Sequence, residues 1–140
     1  MTDWELYRSV CEALERLSLL PRYSEGLEPY LSEANPDVWE GEVSADPVVY
    51  EDFRGFISMA DHERLSLFGL IRLYFSTLDD HYSAAKRIIN SLSEKDFADV
   101  LAEADGLIDH RPSLAADVCS AKYEMGMPLY RYRNALARGG

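Results

Sequence analysis

The sequence predicts an all-α protein, an irregular bundle of six to seven helices forming one domain over residues 1–140. Three observations predict it. Apolar residues recur at three- and four-residue spacing through most of the chain, as one face of a helix requires. Helix-start signals stand ahead of these stretches, at Thr2, Asp46-Pro47, Asp61 and Ser93, and Pro or Gly closes several of them. A sustained alternation of apolar and polar residues, which a half-buried strand would need, is found nowhere. A chain of 140 residues is long enough to bury one core without disulfide or metal staples.

Thr2-Asp3-Trp4-Glu5 is a capping box, in which the threonine and the glutamate three residues on satisfy each other's exposed N–H groups. Trp4, Tyr7, Val10, Cys11, Leu14 and Leu17 carry this helix to about Leu20, and Pro21 ends it. A second helix is expected from about Ser24 to Ala34, stopped by Asn35-Pro36. Gly26 and Pro29 weaken it unless both fall in its first turn. Residues 36–46, PDVWEGEVSAD, have no helical period and read as a loop with room for a brief extended piece. Asp46-Pro47 is a strong start for a third helix, with Val48, Val49, Phe53, Phe56 and Ile57 as its apolar face.

Asp61 is expected to cap the next helix. Its body, ERLSLFGLIRLYFSTL, is apolar nearly all round, with only Gly69, Arg72 and Ser76 as a polar stripe. Such a helix belongs in the middle of a bundle. Arg72 is expected to reach past its neighbours to a carboxylate or a helix-end carbonyl. Asp79 or Asp80 begins another helix, with Tyr82, Ala85, Ile88, Ile89 and Leu92 facing inward. Ser93 restarts the pattern through Phe97, Val100, Leu101, Ala104 and Ile108. Pro112-Ser113 opens a further helix, closed by Gly126 and Pro128, and residues 129–138 read as a last short one.

Several function classes lose support at this level. No apolar run is long enough for a membrane span. The N-terminus, MTDWELYRSV, is acidic and amphipathic, where a secretory signal would be basic and then apolar, so a cytoplasmic protein is expected. Cys11 and Cys119 fall on apolar stripes and read as reduced core thiols. The net charge of −11 disfavours binding to nucleic-acid phosphates or to an anionic membrane and suits a basic partner. No metal-protease, thiol-pair, nucleophile-elbow or phosphate-loop motif is present, and no cofactor is expected.

All three histidines follow an aspartate, at Asp61-His62, Asp80-His81 and Asp109-His110. Neighbours on a helix point about 100° apart and share no ligand direction. Each pair also falls at an expected helix end, so helix capping is the favoured reading over a metal-dependent hydrolase. The segment LYRYRNALAR interleaves Arg131, Arg133 and Arg138 with Tyr130 and Tyr132. Three arginines are few against −11, and a role within the chain is expected for them.

The acids are unevenly spread. Between Tyr23 and Phe53 the chain holds nine Asp or Glu and no Lys or Arg. Without bases among them these charges repel one another and form no helical ion pairs. Trp39 stands in the midst of them, either to pin the loop to the core or to enter a partner. Exposed aromatic and acidic side chains together suit the gripping of a basic protein. A solvated acidic surface is the alternative.

From residue 65 to 138 the chain resembles the small helical immunity proteins of bacterial contact-dependent growth inhibition systems. The likeness lies in Tyr74-Phe75 near the end of an apolar helix, then Asp79-Asp80 and the helix HYSAAKRII. It continues in DFADVLAEADGLI, with Leu101, Glu103, Asp105 and Leu107, and in Tyr123 followed by Tyr130-Arg131. Members of that family often carry Trp soon after the Tyr-Phe pair and again near the end, and this chain has Trp at neither place. The resemblance implies a non-catalytic cytosolic protein that binds a cognate toxin domain, often a nuclease. Trp39, Glu40, Glu42 and Asp46, supported by Asp37, Glu51 and Asp52, are then the expected contact surface. A helical adaptor, or a nucleic-acid mimic with a partner other than a toxin, is the competing class.

Overall fold

The computed structural model describes residues 1–110. They form six α-helices: α1 Asp3–Ser18, α2 Pro21–Ala34, α3 Pro47–Met59, α4 Leu67–Ser76, α5 Ser83–Ser91 and α6 Glu94–His110. Single 3-10 turns at His62–Arg64 and Asp80–Tyr82 precede α4 and α5. No strand occurs among the described residues, so the fold is all-α and the loop before α3 has no extended piece. The expected helices after Pro112 and Leu129, Cys119 and the arginine–tyrosine segment lie outside the described residues.

The capping box forms as expected. The Thr2 hydroxyl accepts from Glu5 N at 3.1 Å, and the Glu5 carboxylate accepts from Thr2 N at 2.8 Å. Leu20 is extended, as a residue before proline prefers, and this breaks α1. Pro21 is itself the first residue of α2, which therefore starts three residues earlier than the sequence suggests. Pro29 consequently falls in the body of α2 and not in its first turn. Gly26 has a packing reason: a Cβ there would lie 2.5 Å from Ile88 Cδ1 on α5. Its missing side chain lets the two helices approach closely.

The core runs through α1, α2 and α4. Tyr7, Leu14, Leu17, Leu27, Tyr30, Leu31, Ile71 and Phe75 are all essentially inaccessible. Burying these apolar surfaces is the main source of stability, at about 25 cal/mol per Å². The buried tyrosine hydroxyls are paired, as buried polar atoms must be. Tyr7 donates to the Ala34 carbonyl and Tyr30 to the Tyr74 hydroxyl. Rings in contact link Trp4, Tyr7, Phe53, Tyr74, Phe75, Tyr30 and Tyr82 in one chain across the bundle, with neighbouring centroids 5.0–5.7 Å apart. Cys11 is buried and reduced, and burial pushes its thiol well above the usual range, which keeps it protonated and unreactive.

Three expectations are corrected. Asp61 makes no side-chain cap, and its helix is only the 3-10 turn; Ser66 caps α4 by accepting from Gly69 N at 3.1 Å. Nor is α4 enclosed on all sides, since Leu67, Leu73 and Arg72 are exposed and Arg72 pairs with no described carboxylate. The helix packs on α5 and α6, and no other described helix covers its outer face. On α3, Val48 is exposed while Tyr50 takes the inward position.

Two arginines fix α6 against the α1–α2 corner. Arg16 forks onto Asp105, and Arg22 onto Glu103 at 3.1 and 2.7 Å. Both pairs are partly solvated, so they set the register of α6 more than they stabilise it.

Candidate functional site

The acidic loop, residues 35–46, leaves α2 and returns to α3 as a closed Ω-type turn. The closing hydrogen bonds follow from the end of α2, whose last carbonyls have no partner within the helix. The returning chain supplies it: Ala45 N donates to the Asn35 carbonyl at 2.8 Å and Asp46 N to the Glu33 carbonyl at 2.9 Å. Asn35 is buried, and its side-chain oxygen accepts from Asp37 N at 2.9 Å. Ser44, also buried, accepts from Tyr50 N at 2.9 Å and donates to the Asp46 carbonyl. Tyr50 N is among the first four amides of α3, so this one hydroxyl serves both the loop and the helix start. Gly41 turns the tip with a φ of 87°, a conformation that costs glycine little.

The seven acidic and aromatic residues expected to bind a partner are placed differently from one another. Asp37 pairs with Arg8 of α1 at 2.9 Å, and Asp46 caps α3 by accepting from Val48 N at 3.1 Å. These two hold the loop. Trp39 donates its indole N–H to the Ala45 carbonyl at 3.0 Å, which ties the two limbs of the loop together. Its ring is not in the core and remains 58% exposed. Glu40 and Glu42 at the tip are exposed, with no ion pair among the described residues. Burial raises the Tyr50 hydroxyl above its ordinary range, and the Glu42 charge adds to that effect. Glu51 and Asp52 lie on the exposed side of α3. Sequence reasoning read Asn35 only as a helix stop and missed Ser44, the two buried residues that clasp the loop. Their signal was present, because Asn and Ser are turn residues whose short side chains bond nearby backbone.

Glu33 of the same acidic run does something else. It accepts from the Tyr82 hydroxyl and stands 3.0 Å from His81 Nε2, joining α2 to the turn before α5. Burial pushes its carboxyl up, but the hydrogen bonds from Tyr82 and His81 outweigh this and hold it below the ordinary 4.5. A carboxyl lowered on folding stabilises fully above its unfolded value, and that stability drains as pH falls through the folded value. Glu33→Gln is therefore expected to lower stability at neutral pH and to flatten its loss below about pH 4.5. Urea midpoints measured across that range check it; an acid limb as steep as that of the unaltered protein would show that Glu33 does not contribute.

The Asp-His pairs do not behave alike. Asp61 joins Arg64 at 3.1 Å, Asp79 rather than Asp80 caps its turn, and Asp109-His110 falls within the last turn of α6. Among the described residues no three His, Cys, Asp or Glu side chains cluster as metal ligands would. No helix there is long and apolar enough to cross a membrane.

No protein-family model, curated protein or solved structure matches the chain.

Proposed function

We propose that this is a non-catalytic acidic binding protein that neutralises a basic toxin domain, in the manner of the growth-inhibition immunity proteins its second half resembles. The observation that carries the reading is the loop tip. Trp39 is exposed while its N–H is already satisfied by the loop's own backbone, and Glu40 and Glu42 beside it have no counter-charge among the described residues. A tip whose backbone is already folded offers an apolar ring and two carboxylates with little backbone left to order on binding. Its charge speeds encounter with a cationic surface such as a nuclease must present to phosphate. Residues 38–42 are all exposed, so the tip is accessible to a cleft.

On this reading a toxin gene is expected directly upstream, and the test is co-expression with the domain it encodes. The unaltered protein is expected to restore growth and to bind that domain more weakly as salt rises. Glu40→Lys with Glu42→Lys should abolish protection while leaving the thermal melt of the bundle in place. Protection and salt dependence that survive the double reversal would remove the loop from the interface. Affinity for a host regulatory protein in place of a toxin would favour the adaptor reading.

A further inference from the structure

A second feature lies between α3 and α4. Gly55, Phe56 and Met59 of α3 face Leu73 and Tyr74 of α4 and Leu78 beyond its end across a groove of about 580 Å³ that is open among the described residues. Two of these apolar residues are strongly exposed for their type, Met59 at 90% and Leu73 at 45%. Asp52 stands at the groove on the α3 side and Asp79 on the α4 side. Burial raises the Tyr74 hydroxyl well above its ordinary range, and the Asp52 charge adds to that effect.

The shape selects the occupant. The α3 wall, from Asp52 to Ala60, is about two helical turns long, roughly 12 Å at 1.5 Å per residue. Both walls are helices whose backbone hydrogen bonds are internal, so an extended peptide would find no edge to pair with. A ligand that satisfies its own backbone, an α-helix, meets no such penalty. Ridges on two helices make the kind of groove into which a third helix packs. An apolar floor between two aspartates calls for an apolar stripe flanked by Lys or Arg.

We infer that the α3–α4 groove is a docking site for an amphipathic helix of a partner protein, with apolar side chains seated between Phe56, Met59 and Leu73 and basic side chains directed at Asp52 and Asp79. This site is separate from the loop tip and does not depend on the partner being a toxin.

Gly55 allows a clean test. A Cβ at Gly55 meets nothing within 4 Å, so Gly55→Leu fills the groove without a clash and replaces a poor helix former with a good one. The probe is a labelled leucine–lysine peptide of ~15 residues, long enough to be helical when bound. Its partner probe has the same composition in scrambled order, without the helical spacing. By fluorescence anisotropy the ordered peptide is expected to bind at least about tenfold more tightly than the scrambled one, a factor worth 1.4 kcal/mol. Gly55→Leu should weaken it by a similar factor while melting no lower than the unaltered protein. Asp52→Asn should reduce its salt dependence, and Glu40→Lys with Glu42→Lys should leave the order-dependent preference intact. Equal binding of both peptides would reduce the effect to bulk charge and overturn the site. So would undiminished binding to Gly55→Leu, no binding at all, or a self-dimer that Gly55→Leu abolishes. Loss with the loop reversal but not with Gly55→Leu would sink this site and keep the loop.

Discussion

Phe53→Ala is expected to destabilise the protein by about 3–5 kcal/mol, as truncation of a wholly buried phenylalanine does. Phe53 is inaccessible, and its ring lies 5.2 Å from Tyr7 of α1 and 5.0 Å from Tyr74 of α4. Both neighbours are held by hydroxyl bonds, Tyr7 to the Ala34 carbonyl and Tyr74 to Tyr30, so neither can collapse freely into the space left. The cavity term should therefore remain with the transfer term. Against a total stability of about 5–15 kcal/mol this is roughly a fifth or more of the whole. Urea unfolding followed by far-UV circular dichroism measures it, read as a fall in midpoint at unchanged slope. A cost under about 1 kcal/mol would mean that α3 is only loosely seated, and both candidate sites would lose their rigid support.

Pro29→Ala should act in the opposite direction. Pro29 is exposed in the middle of α2, and a proline there denies the Glu25 carbonyl its N–H partner and crowds the preceding turn. That costs about 3 kcal/mol in an ordinary helix interior. Proline returns about 0.4–1 kcal/mol by restricting the unfolded chain. A net gain of roughly 2 kcal/mol is expected from the difference. The same unfolding experiment decides it. A variant no more stable than the parent would show that the proline shapes α2 to its neighbours, among them α5, which Gly26 already admits closely.

Local chemistry made much of this fold legible, and tertiary context supplied the rest. The Thr2 box and the Asp46 cap act within a few residues, so they could be read from the chain and formed as expected. Ser66 was overlooked in favour of Asp61 because either residue can start a helix, and only packing decides which turn continues. Pro21 gave the corner but not the start of α2, since the same proline ends one helix and opens the next. The apolar girth of α4 suggested a central helix, yet Leu73 contributes to an open groove, which a periodic pattern cannot distinguish from a core. At the loop, composition located the acids and Trp39. It could not separate those that bind the fold, Asp37 and Asp46, from those with no partner among the described residues, Glu40 and Glu42. That division depends on Arg8 and Val48 N, which the folded chain brings to them.

The clasp at the base of the loop has an evolutionary consequence. Its hydrogen bonds come from Glu33, Asn35, Ala45, Asp46 and the buried Ser44, with the Trp39 indole N–H added from the tip. Trp39 apart, foundation and display are thus written in different letters of the same segment. Substitutions at Val38, Glu40, Glu42 and Val43 can change what the tip offers without renegotiating how it is held. What the tip presents can drift as a cassette while the bundle beneath stays constant.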